Sequence, residues 1–559
     1  MIVPMKHLTL LCVAGESAKA LEALRELGCV HLDLSGASSA DYAAARGDYD
    51  GALEAVRIVA KAKKDCPLPV GTNTVRRTAA DIAKLAAARD EATSAADELR
   101  RQVAFYEPWG DFDPELARRL VAQGIDLGSV CSLPEPLPKV RLSELRGRLA
   151  AAEEKAAGYL KELAETDESW ITARYPELMD RVAFEAARDA LATQGAVSWI
   201  EGWVSVDSVP RLRAKAVTEA WGLLVRDAAA DENPPTLIRP PKLFRPVAAL
   251  FQGLGIAPGY SESDVSVPFM CYFSLFFAML VGDGAYGAIF LLATLWGWRK
   301  TKPKEGSGHR PRAVRSWLGL LTVFSTATIL WGVLSNTWFG AGLPFAANWP
   351  TVKWLADPSY QNMMLLCFTI GVSHLMIARI WSGIQIINDR TCLSQFGWAG
   401  ILLFMYIVTN SIVGIFPGVP KWSFWVFGVS LVLVFGFTLK GHELKSRGIE
   451  LGMLPLNIMS ALGDIISYVR LFAVGLASVK VAENFNQMAT GLISSEHSLW
   501  LNAILAVAMV LILLVGHGLN LAMAGLSILV HAVRLNTLEF SNHKGISWAG
   551  YAFKPFTKH

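Results

Sequence analysis

The sequence of 559 residues predicts a mainly α-helical protein in two parts. The first is a set of N-terminal cytosolic α/β lobes joined by an antiparallel coiled-coil hairpin. The second is a polytopic membrane domain of about eight helices, the last two long and tilted. Three observations predict this division. Lys, Arg, Asp and Glu crowd residues 1–245 and almost vanish from long stretches of 265–540. Apolar runs long enough to span a bilayer recur only in the second part. Two Ala/Glu/Lys/Arg-rich helical patterns lie in the first part.

HLTLLCVAG (7–15) reads as a strand, ESAKALEALRELG (16–28) as a helix closed by Gly28, and CVHLDL (29–34) as a returning strand. The pattern recurs as VSWIEGWVSV (197–206), a helix with Pro210 in its first turn, and LLVRDA, giving a second lobe. Between them, residues 78–105 and 141–169 form the two arms of the hairpin, and Pro108 to Pro138 cap it as a distal lobe. The proline-dense NPPTLIRPPKLFRPV (233–247) links domain 1–245 to domain 246–559.

Apolar stretches lie near 267–297, 317–338, 361–385, 397–416, 423–439, 453–490 and 499–535. Loop 298–316 carries seven Lys and Arg, which marks it cytoplasmic. Loops 339–360, 417–422 and 491–498 together hold two Lys and no Arg, as expected for the far side. With a cytoplasmic N-terminal part, 267–297 must cross an even number of times. A tight pair of short helices turning at GDGAYG (282–287) meets that need and gives eight crossings with both termini cytoplasmic. GDGAYG matches a dinucleotide-binding pattern only in letters, since no strand precedes it, and it reads as a close-packing turn in which Asp283 caps a helix. The opening MIVPMKHLTLLCVAGESAKA is a poor signal peptide.

Two arginines inside apolar runs carry the functional argument: Arg470 in 460–481 and Arg534 in 517–540. A guanidinium at mid-bilayer costs at least ~2.5–3.5 kcal/mol, so it faces protein or water and marks an ion path. At α-helical spacing Arg534 shares a stripe with His531, Ser527, Ala524, Asn520 and His517. Arg470 shares one with Ser467, Gly463 and Ser460, continuing through Ala473, Ala477 and Asn484. Small residues permit close approach of another helix, and the cation would attract a carboxylate that the neighbour carries. The bland alternative is a static salt bridge. Asp464 and Glu483 fall outside helical-neighbour spacing from Arg470, which leaves a bridge to another span. His517 and His531 serve either as proton relays or as packing residues.

A net charge of +3 is too small for this length to suggest nucleic-acid binding. The seven cysteines (Cys12, Cys29, Cys66, Cys131, Cys271, Cys367, Cys392) form no CxxC and suggest neither a disulfide framework nor a metal site. No GxxxxGK[ST] occurs, so nucleotide hydrolysis is assigned elsewhere.

LGDIISYVRLFAVGLASVKVAENFNQMA and GHGLNLAMAGLSILVHAVRLNTLEF closely resemble the two C-terminal helices of subunit I of V/A-type rotary ATPases, the counterpart of the eukaryotic V-ATPase a subunit. FSLFFAMLVGDGAYG, WGVLSNTWFG, IEGWVSV and the opening MKHLTLLCVAG extend the resemblance along the whole chain. It implies a multi-pass, non-catalytic subunit of the inner (plasma) membrane that needs no cofactor. Its partners would be proteolipid c-ring subunits with an intramembrane carboxylate, peripheral stalk subunits and the membrane-side central-stalk subunit. Arg470 matches the family's essential arginine and Arg534 its second; His531, Ser467, Asn520, His517, Ser527, Asn484 and Glu483 are candidates for lining two H⁺ or Na⁺ half-channels. Some relatives carry acidic residues in the half-channels that have no counterpart here, since Asn457, Ala524 and Ile546 occupy the candidate positions. The competing class is a secondary transporter or channel with a cytosolic regulatory domain, for which no inverted repeat is evident. A third is a scaffold whose arginines are purely structural.

Overall fold

The computed structural model describes every residue except 1, 35, 37, 67–74, 125–138, 230, 302–311, 343–359, 439–451, 493–498 and 559. The tip of the expected distal lobe and most of the loops used for orientation therefore lie outside the described residues. The chain divides into two compact units. One comprises Met5–Ala228 with Lys554–His559, the other Met1–Pro4 with Ala229–Phe553.

In the first unit, β1 (Met5–Val13), β2 (Val30–Leu32), β3 (Ala192–Gln194), β4 (Val197–Ser205) and β5 (Gly222–Asp227) form one antiparallel sheet. Its order is β2-β4-β1-β5, with β3 also pairing with β4. The two strand-helix-strand units, expected as separate lobes, thus close into a single one. A strand pair alone is marginal, and interleaving gives β1 a partner on each side. Alternate residues Leu8, Leu10 and Cys12 of β1 meet Ile200 and Val204 of β4, Leu21 and Leu24 of α1 (Ser17–Leu27) and the C-terminal Phe556 in one core. Gly28 ends α1 in the left-handed region at φ 59°, where a Cβ would lie 2.7 Å from Thr557 Cγ2. Arg25 of α1 and Asp180 form an ion pair at 2.9 Å, largely buried on both sides.

The long helices begin with α2 (Ala40–Asp65) and α3 (Ala79–Tyr106), the latter started by a Thr78/Asp81 capping box. Ion pairs Arg77–Glu162, Arg100–Glu153 and Arg146–Glu107 run α3 antiparallel to α4 (Leu142–Ala164). This pair is not solitary. Ala55, Val59 and Ala62 of α2 pack with Ile82 of α3 and Leu163 of α4.

In the second unit, α5 (Ser266–Val281) and α6 (Gly284–Lys300) meet at a 119° bend. Then follow α7 (Arg312–Ser335), α8 (Tyr360–Gln385), α9 (Cys392–Ile412) and α10 (Lys421–Phe437). The penultimate span runs Leu454–Thr490, broken at Tyr468 into α11 (Leu454–Ser467) and α12 (Val469–Thr490). The last span, Trp500–Lys544, begins as α13 (Leu499–Ser527) and passes into π-helical winding at Ile528–Ala532 and Leu535–Phe540. Among the described residues five helices are long and apolar enough to cross a membrane, or six if the bent pair is one span, against the eight crossings expected. The difference comes from the bent pair and from the short α10.

The bend at GDGAYG is a close-packing turn. Gly282 takes φ 68°, Asp283 Oδ1 accepts the Ala285 N–H at 2.8 Å, and its Oδ2 accepts the Gly340 N–H at 2.7 Å. Backbones touch there, for a Cβ on Gly332 of α7 would sit 2.2 Å from Gly284 Cα.

Candidate functional site

The break at Tyr468 prepares Arg470. Leu471 N–H bonds to the Tyr468 carbonyl at 3.0 Å, one residue short of α-helical, and the Ser467 carbonyl instead accepts Arg470 Nε–H at 3.0 Å. Tyr468 itself is fully buried, its hydroxyl 2.8 Å from His374 Nδ1 of α8. Arg470 is thereby anchored by its own backbone while Nη2 reaches 3.1 Å to Glu539 Oε1. Arg534 Nε lies 3.4 Å from the same oxygen, and Ser467 Oγ 3.2 Å from it.

Glu539 is the residue that reading the sequence at α-helical spacing misses. Five residues after Arg534, it would lie about 140° around an α-helix. The π-helical winding, bonded i to i+5, brings it beneath the arginine. Its side chain is 5% exposed, whereas Arg470 and Arg534 are 26% and 53% exposed, so the anion is inside and the cations reach the bundle surface. Oε2 of Glu539 and Nδ1 of His531 are buried with no hydrogen-bond partner among the described residues.

The expected stripe on the last span divides. Asn520 and His517 face inward, away from the arginine cluster. Asn520 Nδ2 donates to the Ser478 carbonyl at 3.0 Å and to the Tyr286 hydroxyl oxygen at 3.2 Å; Ser478 Oγ donates to Asn520 Oδ1 at 3.0 Å. His517 Nδ1 is 2.7 Å from the Tyr286 hydroxyl and Nε2 3.1 Å from Asn486 Oδ1. Glu483 pairs with Lys480 at 2.7 Å on the wall of a cavity of about 530 Å³. Asn484 is exposed and Ser527 half-buried, and no described contact ties either to these networks.

A third network lies on the other side of Arg470. Arg379 Nε–H of α8 donates to His543 Nδ1 at 3.0 Å, so His543 carries its proton on Nε2 and gives it to Asp464 Oδ2, also at 3.0 Å. Asp464 thus pairs with His543 rather than with Arg470. At 1.5 Å rise per residue, Asp464 stands about 9 Å before Arg470 along the span and Ser478 about 12 Å after it.

No family model matches the chain. It is 28% identical to V-type ATP synthase subunit I 1 of Treponema pallidum (strain Nichols) over the whole of both chains. It is 33% identical to V-type ATP synthase subunit I of Borreliella burgdorferi over 65% of this chain and 60% of that one. With A-type ATP synthase subunit I of Methanocaldococcus jannaschii it shares 25% identity over 76% of this chain and 64% of the relative. Similarity to subunit I of V/A-type ATP synthases thus runs the whole length of one relative and recurs in bacterial and archaeal ones, and the chain carries apolar helices long enough to span a bilayer.

Proposed function

We propose that this chain is the non-rotating membrane subunit of a V/A-type rotary ATPase, carrying an ion across the bilayer against a ring of small subunits that each bear one intramembrane carboxylate. The observation that carries the reading is the sharing of one Glu539 oxygen by two guanidinium groups that stay part-exposed on the bundle surface. Two permanent cations and one anion leave a surplus positive charge facing outward. A ring carboxylate passing this surface stays ionised, because the nearby cation offsets its desolvation. An ion bound to that carboxylate is displaced there, so ions cannot leak directly between the two sides.

The polar networks on either side of Arg470 serve as the inner ends of two half-channels, Asp464–His543–Arg379 on one side and Ser478–Asn520–His517 on the other. The basic loop 298–316 puts the Asp464 end and both termini on the cytoplasmic side. The chain crosses eight times if the bent pair forms a hairpin and α10 spans. The unit built on β1–β5 and the α3–α4 pair acts as a stator strut that holds peripheral stalks, while other subunits hydrolyse or make ATP.

Arg470→Ala tests this in membrane vesicles containing the whole complex. ATP-driven ion uptake is expected to vanish while a carboxylate-bearing hairpin subunit still co-purifies with the tagged chain. Normal coupled uptake in that variant refutes the role of the arginine.

A further inference from the structure

His374 of α8 is fully buried, and the ion-carrying reading gives it no part. Its ring is sandwiched between Tyr272 of α5, with centroids 4.0 Å apart and planes at 26°, and Phe540 of the last span, at 4.5 Å and 14°. Tyr272 is itself tied to α8, its hydroxyl 3.1 Å from Ser373 Oγ. Phe276 and Tyr468 stand edge to face with the imidazole at 5.5 and 6.2 Å. Stacking on both faces leaves the ring a single plane, so packing fixes where its nitrogens point.

The hydrogen bond this ring makes goes to Tyr468, whose Oη lies 2.8 Å from Nδ1. Its direction follows from what each choice leaves over. If Nδ1 donated, both the Tyr468 O–H and the Nε2 lone pair would be left over. If Tyr468 donates, only Nε2 is left over, and it has no partner among the described residues in either case. The second arrangement strands fewer buried polar groups and is the cheaper one. α8 also supplies a bed for the tyrosine: a Cβ on Gly371, three residues before His374, would lie 2.6 Å from Tyr468 Cγ, so the phenol rests against bare backbone.

What Gly371 and His374 hold is the residue at which the penultimate span changes winding. Tyr468 N–H bonds to the Ile465 carbonyl at 3.2 Å and Leu471 N–H to the Tyr468 carbonyl at 3.0 Å, each one residue short of α-helical. This break frees the Ser467 carbonyl to accept Arg470 Nε–H. Rewound as an α-helix, the Ser467 carbonyl would take the Leu471 N–H instead, and the guanidinium would lose its backbone anchor.

We propose that His374 is a positioning residue for Arg470: its Nδ1 accepts the Tyr468 hydroxyl and so holds the break from which the guanidinium is aimed. The inference rests on the reading of Arg470 as the ring-facing cation and adds the residue that aims it. A guanidinium displaced by about 1 Å loses on the order of a hundredfold in a step that depends on its placement.

The test uses the complete complex in inverted membrane vesicles. ATP-driven charging of the membrane is read with a potential-sensitive dye, assembly by co-purification and folding by melting of the detergent-extracted protein. Tyr468→Phe keeps the ring and removes the hydroxyl; His374→Phe keeps a flat ring between Tyr272 and Phe540 and removes the acceptor. Each is expected to cut charging by roughly tenfold or more with the complex assembled. Both remove the same bond, so the double variant is expected to be no worse than either alone. His374→Asn, whose Oδ1 stands where Nδ1 does, is expected to recover most of the lost charging although it has no ring to stack. Wild-type charging in Tyr468→Phe overturns the proposal. His374→Asn performing no better than His374→Phe overturns it too, since packing alone would then explain the histidine, as do losses that multiply in the double variant. If His374→Phe does not assemble, Tyr468→Phe, the smaller change, decides alone. Arg470→Ala separates the two levels of argument: normal charging there refutes the reading of the arginine, whereas loss there with full charging in Tyr468→Phe refutes the positioning role alone.

Discussion

Replacing Glu539 with Gln keeps the shape of the side chain and removes the charge that Arg470 and Arg534 share. At 3.1 and 3.4 Å, and an effective dielectric constant of about 20, each attraction amounts to roughly 5 kcal/mol before desolvation. Desolvating the buried carboxylate cancels most of this, and the exposure of both arginines screens the rest, leaving on the order of 1–2 kcal/mol net for each pair. On the proposed function, Glu539 competes with a ring carboxylate for Arg470. Without it, Arg470 holds the ring carboxylate more tightly by about that amount, and release slows roughly five- to thirtyfold. The expected phenotype is slow but tightly coupled work: ATP hydrolysis and ATP-driven ion uptake in vesicles fall together, with the complex assembled. Uptake at the wild-type rate would falsify the competition argument. Hydrolysis that continues without uptake would refute it in another way, since it would make Glu539 part of the seal.

Two further outcomes follow from geometry elsewhere. Gly332→Ala forces a Cβ to within 2.2 Å of Gly284 Cα, backbone against backbone, and is expected to lower the thermal stability of the detergent-extracted protein by at least the ~1–3 kcal/mol typical of overpacking. Unchanged melting would show that α6 and α7 separate freely. Burial holds the His31 imidazole below its ordinary range, and its Nδ1 accepts the Lys554 N–H, which only the unprotonated ring can do. With the folded value depressed, this contact contributes stability above the unfolded value of about 6.5 and loses it as pH falls through the window beneath. Labelling or proteolysis at Lys554–Lys558 is therefore expected to increase between pH 7 and pH 5 in the full chain and to be pH-insensitive in His31→Gln; a flat wild-type profile refutes the role.

What the sequence makes legible is whatever is local or energetically extreme. A permanent charge inside an apolar run is conspicuous whatever its surroundings, so Arg470 and Arg534 stand out at once. The strand and helix segments around Gly28 and Pro210 are legible for the same reason, their periodicity and caps being local. Pairing is not local. β1 and β4 are separated by most of a unit, and nothing within either indicates that they lie side by side in one sheet. Glu539 is not legible because a fixed angle per residue does not hold where the winding changes. Tyr286 escaped because its partner lies 231 residues away. The crossing count is a related case: apolar length distinguishes a span from a loop, but not a straight span from a pair bent by 119°.

The change of winding has a consequence for how the cluster works. An α-helical last span would present Arg534 and His531 on the stripe of Asn520 and His517, committing one face to both the ring contact and the channel lining. Instead the buried stripe runs Asn520, Ala524, Ile528, Ala532, Leu535, Glu539, which places the carboxylate on the inward side and displaces Arg534 to the flank. The anion is then covered on the outer side by the two cations it holds, so on the proposed function a ring carboxylate would meet positive charge before it met Glu539. Had the order been reversed, like charges would face each other in a low-dielectric setting and the approach would be opposed rather than drawn in. Inserting one alanine between Leu535 and Asn536 would carry Glu539 about 100° further round the helix from Arg534, and coupled ion uptake should be lost even though every charged residue is retained. Retained uptake would mean that the composition of the cluster matters and its layering does not.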